Sequence, residues 1–320
     1  MAVLLPALFA VSQQEPTEPA PYLLSDPSII QIHLPRFSAF GPIRCDTSGS
    51  TYYELESETP DKTILRISAN GQNSTVYSLP TETPEGGRNY FQGFSVTPSG
   101  LVRIIFLKER TDSLYVRSFG KDGSLKDETR LSSVDHIRVK YFVSFEDGSV
   151  WLNAYYGEQA PEQMRGRRYS AIFDPSGKLV KELDSFMPNV DLHDTRAKTL
   201  EGDVALGQDG NLYLLTATQV IVISQSGEVV RKIKFTKTST DQIAEEVKVS
   251  NGLVAITLST VENIRPNSRY LVMDSMTGQV FGAYELSNTN KMMLCFDREE
   301  GFTFRGGDKT TSWFERYAVR

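Results

Sequence analysis

The sequence has few cysteines, no strongly basic run and no long apolar segment. Its only cysteines, Cys45 and Cys295, are too few for a disulfide scaffold and lack the spacing of a cysteine-based zinc site. The net charge is −6 and no Lys/Arg-rich run occurs, which argues against a nucleic-acid partner. No stretch reaches the ~18 consecutive apolar residues of a membrane span. These absences exclude several classes and leave an ordinary globular chain of 320 residues.

Common catalytic motifs are also missing. No Gly-x-Ser-x-Gly nucleophile elbow occurs. The glycine pairs in Glu85–Arg88 and Arg305–Asp308 lack the following Lys-Ser/Thr of a phosphate-binding loop. Helical periodicity of useful length is absent as well. The sequence therefore predicts no organic cofactor, and a divalent metal is kept only as an alternative.

What the chain does contain is a short repeated unit of two apolar strands joined by a Gly-containing turn. It occurs in two alternating series, each with a spacing of about 50 residues. Gly is favoured because such turns need a residue with positive φ, and the preceding Asp, Asn or Ser caps the turn. Segment Tyr169–Leu183 is a clear member of the outer series. The turn glycines are Gly49, Gly100, Gly148, Gly210, Gly252 and Gly301 in the inner series and Gly71, Gly123, Gly177, Gly227 and Gly278 in the outer series.

Four short strands in every ~50 residues are typical of propeller blades. Six inner hairpins but only five outer hairpins occur, because the chain ends after the third strand of the sixth repeat, Ser312–Arg320. Segment Ile29–Pro35 resembles the fourth strands of the other repeats. We therefore predict an all-β fold, a six-bladed β-propeller of four-stranded antiparallel blades over residues 29–320, with the last blade closed by the N-terminal strand.

The repeats resemble the six-bladed β-propeller superfamily in the broad NHL-like or TolB-like sense. The likeness rests on repeat length and on turns such as Phe173–Gly177. It implies the fold over about residues 29–320 and, by analogy, a ligand site at the central channel. It implies no particular activity, since neither the NHL consensus nor the metal ligands of gluconolactonase-like members are found.

The N-terminus predicts export. Residues 1–12 combine an apolar segment with small residues, Ala10 and Ser12, before a cleavage point, as in a signal peptide. A buried strand is the alternative, and Pro6 argues against it. Residues 13–28 are rich in Pro and Glu and are expected to form a linker. We expect a soluble monomer in the periplasm or outside the cell.

Long loops are expected on one face of the ring, at 56–62, 155–168, 186–198 and 259–268. The opposite face carries the short glycine turns and is expected to offer little for binding. Long loops on one rim are often functional, although solvated loops that drifted in length would look the same. The candidate ligand-binding residues on the long-loop face are Asp135, His136, Arg165, Arg167, Arg168, Asp191, His193, Asp194, Glu262 and Arg265.

Asp191, His193 and Asp194 are the weak candidates for a metal site or general base, with Asp135 and His136 as partners. The simpler interpretation, an exposed loop histidine with one local hydrogen bond, is favoured because a second ligand set is not evident. The arginine group at 165–168 would suit a carboxylate or phosphate, or would simply keep the loop soluble.

Two functions follow from these patterns. The first is an exported, non-catalytic module that binds a protein, peptide or glycan through its long-loop face. The alternative is a metal-dependent, lactonase-like hydrolase or lyase with its site at the channel mouth. Cys45 and Cys295 are expected to be buried free thiols, because inner strands of adjacent blades usually lie beyond the ~7 Å Cα limit for a disulfide.

Overall fold

The fold is a closed ring of six antiparallel sheets. The computed structural model describes residues 20–32, 39–55, 61–83, 86–183, 186, 189, 192, 202–260, 268–286, 291, 293–307 and 312–319, with the backbone alone at 39–42, 133 and 134. The predicted signal peptide, residues 1–12, and residues 13–19 of the predicted linker lie outside these ranges. Within them the only helix is a 3-10 turn at Glu162–Met164, and no helix is long and apolar enough to cross a membrane.

Each blade has four strands that run outward from the central channel in chain order. The strands of the first three blades are β3 (Ala39–Cys45), β4 (Thr51–Leu55), β5 (Lys62–Ile67) and β6 (Ser74–Leu79); β7 (Asn89–Val96), β8 (Val102–Lys108), β9 (Ser113–Phe119) and β10 (Leu125–Asp135); and β11 (Ile137–Ser144), β12 (Val150–Tyr156), β13 (Arg168–Phe173) and β14 (Leu179–Leu183).

The other three blades follow the same order, except that the N-terminal segment contributes two additional strands, β1 (Tyr22–Leu24) and β2 (Ser28–Gln31). The strands of blades four to six are β15 (Val204–Leu206), β16 (Leu212–Leu215), β17 (Gln219–Ile223) and β18 (Val229–Lys234); β19 (Gln242–Ser250), β20 (Leu253–Thr260), β21 (Ser268–Asp274) and β22 (Val280–Leu286); and β23 (Met293–Asp297), β24 (Gly301–Gly307) and β25 (Ser312–Tyr317).

The N-terminal strand closes the last blade, as predicted. Strand β2 pairs antiparallel with β25, with Ser28 opposite Arg316 and Gln31 opposite Trp313. The backbone of Ile32 extends the pairing by donating to the carbonyl of Ser312 at 3.1 Å. The blade that begins the ring and the blade that ends it are thereby brought side by side, with β23 against β3.

Strand β1 was not predicted, since it lies within the stretch expected to be a linker. It adds a fifth strand to blade five, parallel to β22, with Tyr22 opposite Tyr284 and Leu24 opposite Leu286. Leu24 is buried there. The outer edge of a blade offers unpaired backbone groups, and a short extended segment can satisfy them without a strong sequence pattern of its own. The N-terminal segment therefore spans blades five and six.

The predicted hairpin turns are confirmed, and all eleven turn glycines have positive φ. The tightest is the two-residue turn of blade five, where both Asn251 and Gly252 have positive φ, as a type I′ turn requires. In the longer turns an aspartate side chain organises the loop. In the hairpin Tyr169–Leu183, Asp174 accepts the backbone N–H groups of Ser176 and Lys178.

The core is divided among the blades rather than gathered at one centre. Six clusters of buried apolar side chains occur, one between each pair of neighbouring blades. Trp151, fully buried, lies in the cluster between blades three and four. Burial of strand faces between blades leaves the innermost strands to line the channel.

The expectation of two free thiols is wrong: Cys45 and Cys295 form a disulfide, with their Cα atoms 5.9 Å apart. Cys45 ends β3 of blade one, and Cys295 lies in β23 of blade six, so the bond joins the first and last blades of the ring. The inner strands approach each other closely here, inside the distance that a disulfide needs. The bond thus lies next to the blade that β2 closes.

Candidate functional site

The long-loop face carries five of the ten predicted residues within the described ranges. Asp191, His193, Asp194, Glu262 and Arg265 lie outside those ranges, so the structure does not test their proposed roles. The other five occur on blades two and three, at the junction of β10 with β11 and in the connection of β12 to β13. They are Asp135, His136, Arg165, Arg167 and Arg168.

His136 contacts an acidic neighbour and the loop of the next hairpin. Its Nδ1 lies 2.8 Å from Oδ2 of Asp112, without the alignment of a hydrogen bond. Its backbone has φ of 59°, and its carbonyl accepts the N–H of Gly157 at 2.9 Å. Asp135 is exposed at the end of β10, opposite Ser113. His136 is therefore held by its backbone against the 155–168 loop.

The three arginines of that loop make different contacts. Arg165 is exposed and donates through Nε to the carbonyl of Ala160, within its own loop, at 3.1 Å. Arg167 is exposed. Arg168 is partly buried with its guanidinium over the Tyr155 ring, 5.9 Å from the centroid, and burial lowers its pKa. Burial also lowers the pKa of Lys140 on β11, and the nearby charge of Arg168 lowers it further.

A groove of about 480 Å³ lies beside His136, between blades two and three on the long-loop face. Tyr90, Arg138 and Gln159 contribute to its walls, and Glu109 and Asp112 supply acidic groups. The Tyr90 hydroxyl donates to Glu109 at 2.8 Å, and the ring is 41% exposed. The groove thus combines an aromatic ring, a guanidinium and hydrogen-bonding groups, which are common in partner-binding surfaces.

Inner strands of three blades carry a β-bulge at a polar residue. In each of these blades the register between the first two strands shifts at the bulge, which lies at Gln92 in β7, at Lys140 in β11 and at Glu245 in β19. A bulge turns an additional side chain away from the regular alternation of a strand. Gln92 accepts the N–H of Val139 at 3.4 Å, and Glu245 accepts the hydroxyl of Ser259 at 2.6 Å. Polar groups are thus placed along the ring centre.

A cluster of charged side chains that was not predicted from the sequence spans the channel. Nη1 of Arg44 in blade one donates to Oδ1 of Asp203, which precedes β15 of blade four, at 3.1 Å. Blades one and four are opposite each other in a ring of six, so this ion pair crosses the centre. Lys248 of blade five donates to the carbonyl of Ile43 in blade one at 2.9 Å. The innermost strands are thereby connected directly across the channel.

The carboxylates of this cluster differ in their surroundings. Asp203 also accepts the N–H of Val247, through Oδ2, at 3.2 Å. Glu246 accepts the Thr257 hydroxyl at 3.1 Å, and burial raises its pKa to about 7, opposed by the charge of Lys248. Burial also lowers the pKa of Lys248. Asp203 is thus the carboxylate that is hydrogen-bonded directly to a basic side chain, that of Arg44. Glu246, in contrast, gains a proton near neutral pH.

A cavity of about 300 Å³ opens beside this cluster, on the face that carries the glycine turns. Its lining comes from the innermost strands and first turns of five blades, and includes Arg44, Lys248 and the rim residue Glu299. The expectation that this face offers little to bind with is therefore wrong. The turns are short, but they surround an open channel mouth instead of covering it.

A usable sequence signal for the cluster does exist. The inner strands have the pattern apolar-x-apolar, and the middle position is charged in Ile43-Arg44-Cys45 and Val247-Lys248-Val249. Neighbours on a strand point to opposite faces, so a residue between two packed apolar ones points towards the channel. Asp203, which lies just before its strand, has no such signal.

No group of three or more potential metal ligands of the His, Cys, Asp and Glu types occurs in the part of the chain that the structure describes. Asp135 and His136 therefore do not complete such a group there, although His136 also contacts Asp112. The metal alternative therefore depends on residues outside the described ranges.

Comparison with known proteins supports the architecture and not a family. No family model matches the sequence, and no curated protein matches it. Among solved structures, the chain is similar to a luciferin-regenerating enzyme, at 9% identity, with 92% of this chain and 96% of that chain covered and a TM-score of 0.51.

Two further solved structures are less similar. The β-propeller domain of the Trilobed protease from Pyrococcus furiosus has 10% identity and a TM-score of 0.49, over 90% of this chain and 95% of that chain. A protein of unknown function from Bacteroides caccae has 9% identity and a TM-score of 0.40, over 77% and 76%. At 9% identity the likeness to the luciferin-regenerating enzyme shows the fold alone, and the six blades follow from the sheet topology.

Proposed function

We propose that this protein is an exported, non-catalytic propeller that binds a protein or peptide partner through its long-loop face. The observation that carries the proposal is the groove between blades two and three, with Tyr90, Arg138 and Gln159 in its walls. Tyrosine and arginine are the side chains that most often dominate the binding energy of interfaces. A relation to NHL-like or TolB-like propellers stays a prediction from repeat length.

Arg138 is the group in the groove that can pair with an acidic group of a partner. Glu109 is engaged by the Tyr90 hydroxyl, and Asp112 contacts His136. Among the described residues, the Arg138 side chain makes only a long hydrogen bond of 3.5 Å, to the neighbouring carbonyl of Ile137. Its guanidinium therefore keeps donors for a carboxylate of the partner.

Two features support export. The Cys45–Cys295 disulfide is the kind of bond that persists in oxidising compartments. The apolar N-terminal segment, which precedes the described residues, has the pattern of a signal peptide. Location in the periplasm or outside the cell is part of the proposal.

The test is cross-linking of the protein in the exported fraction of its own source, followed by affinity measurement with the purified partner. We expect Tyr90→Ala combined with Arg138→Ala to weaken binding at least about tenfold. The matched control is Tyr22→Ala, which removes another exposed tyrosine, 55% exposed, at the outer edge of blade five. Equal affinity of the double variant and the control would contradict this docking site.

A second experiment tests the face as a whole. Shortening the loops at residues 157–166 and 188–196 should abolish partner binding, because residues 157–166 lie on the long-loop face and residues 188–196 are predicted to lie there. If the shortened protein is folded and still binds every partner with unchanged affinity, the long-loop face is not the binding surface.

A further inference from the structure

The cavity on the glycine-turn face is distinct from the long-loop surface. Its volume of about 300 Å³ is at the lower end of the range for small-molecule pockets. The Arg44–Asp203 pair crosses the ring beside it, so the cavity is a pocket with a charged wall rather than an open passage.

Two cations of this cavity have unused hydrogen-bond donors. Arg44 makes both of its hydrogen bonds through Nη1, to Asp203 and to the carbonyl of Ile43, and Nε and Nη2 make none with a described residue. Lys248 is 7% exposed and donates to a single acceptor, the same carbonyl, among the described residues. A guanidinium edge and an ammonium group with spare N–H donors match a carboxylate.

Among the described residues, one basic group of the cluster has no carboxylate as a hydrogen-bond partner. Arg44 and Lys248 are the two basic groups; Asp203 is hydrogen-bonded to Arg44, whereas Lys248 donates to the carbonyl of Ile43. Glu246 is close to Lys248, but burial raises its pKa to about 7, so it is partly protonated at neutral pH. An uncompensated charge in a partly dehydrated site is costly, and a single negative charge supplied by a ligand would offset it.

The rim of the cavity disfavours ligands with more negative charge. Glu299 is exposed at the rim, and Glu300 beside it is paired with Arg316 at 2.9 Å. Asp297 is also part of the lining. A doubly charged phosphate would meet this acidic rim on its way in, whereas a singly charged group meets less repulsion.

The walls of the cavity are partly apolar. Leu206 and Val249 are half-buried although both lie on innermost strands, and Phe296 contributes to the same lining. Apolar groups that remain accessible inside a pocket favour a ligand with an apolar body.

We propose that the turn-face cavity binds a small organic acid, whose single carboxylate pairs with Arg44 and Lys248 while its apolar body contacts the cavity wall. The site is independent of the partner surface on the opposite face. The ligand class follows from two unsatisfied cations, an acidic rim and apolar walls.

The test uses sodium benzoate as the probe, with methyl benzoate and inorganic phosphate as comparisons, in calorimetric titrations of the full-length protein. We expect benzoate to bind with a dissociation constant of about 1 mM or lower, and the neutral ester and phosphate to bind at least about tenfold more weakly. No benzoate binding at about 20 mM, or affinity for the ester or phosphate as high as for benzoate, would overturn the proposal.

Variants locate the site. Lys248→Met keeps the length of the side chain without its charge and should weaken benzoate binding at least about tenfold. Lys126→Met, on the exposed outer strand β10, is the matched control and should leave the affinity unchanged. Because Lys248→Met can destabilise the ring, Glu299→Gln provides a second measurement at the exposed rim and should bind benzoate equally or more tightly. Unchanged affinity in a folded Lys248→Met variant, or weaker binding by Glu299→Gln, would refute the assignment.

Discussion

Removal of the Cys45–Cys295 disulfide should lower the free energy of unfolding by several kcal/mol. The bond joins positions 250 residues apart, so it closes a very long loop in the unfolded chain. The chain-entropy relation gives about 5.5 kcal/mol at 25 °C for a loop of this length, and native disulfides typically contribute about 2–5 kcal/mol. We therefore expect a loss of about 3–5 kcal/mol, because residual structure in the unfolded chain reduces the ideal value.

Urea unfolding measures this loss, with the fluorescence of the fully buried Trp151 as the signal. Oxidised protein is compared with reduced protein and with the Cys45→Ala/Cys295→Ala double variant. Reductant should not change the stability of the double variant. This comparison controls for effects of the reductant other than reduction of the disulfide. A difference below about 1 kcal/mol between the oxidised and reduced protein would refute the loop-entropy argument. Two free thiols in denatured, unreduced protein would refute the disulfide itself.

Further predictions concern a buried carboxyl, a turn and metal content. Burial raises the pKa of Glu246 from 4.5 to about 7, so its stabilising effect is complete below about pH 4.5 and is lost as the pH rises through 7. Between pH 5 and pH 8, the free energy of unfolding of the wild type in urea should fall by about 2–3 kcal/mol relative to that of Glu246→Gln. The control Glu299→Gln, at the exposed rim, should show the same pH dependence as the wild type. Gly177→Ala would place Cβ 2.1 Å from the carbonyl oxygen of Arg130 at a φ of +80°, whereas Gly210→Ala, at +76°, meets no atom within 4 Å. In thermal or urea unfolding, Gly177→Ala should lower the free energy of unfolding by about 3 kcal/mol or more, and Gly210→Ala by about 1 kcal/mol. Equal losses in the two variants would contradict the packing argument. Dialysed protein should hold less than about 0.1 equivalent of any divalent ion by elemental analysis, and one firmly bound equivalent would favour the hydrolase alternative instead.

The fold was predictable because short sequence patterns that repeat along the chain specify it. Turn glycines such as Gly177 mark each hairpin, and their regular spacing defines the blades. Closure by Ser28–Gln31 was predictable by counting, since the sixth repeat lacks a fourth strand. Strand β1 was not, because a three-residue parallel strand gains its stability from the edge that it covers and has no pattern of its own.

The site was harder to predict because its residues are brought together only by the closure of the ring. Arg44 and Asp203 are 159 residues apart in sequence, and although the charged middle position of an inner strand marks Arg44, no local pattern pairs it with Asp203. The disulfide depends on how closely two inner strands approach, which is set by the geometry of the ring and not by local sequence. Loop length directed attention to the long-loop face, whereas the turn-face cavity results from short turns around an open channel.

Pairing of β2 with β25 also has a consequence for the order of events when the chain is made. Ser28–Gln31 is synthesised long before Ser312–Tyr317, yet each needs the other to complete its sheet. Ser28–Gln31 must therefore wait unpaired until the strands of all six blades have been produced. A protein assembled in this way cannot close prematurely, and a chain that must cross a membrane before folding would benefit from that delay.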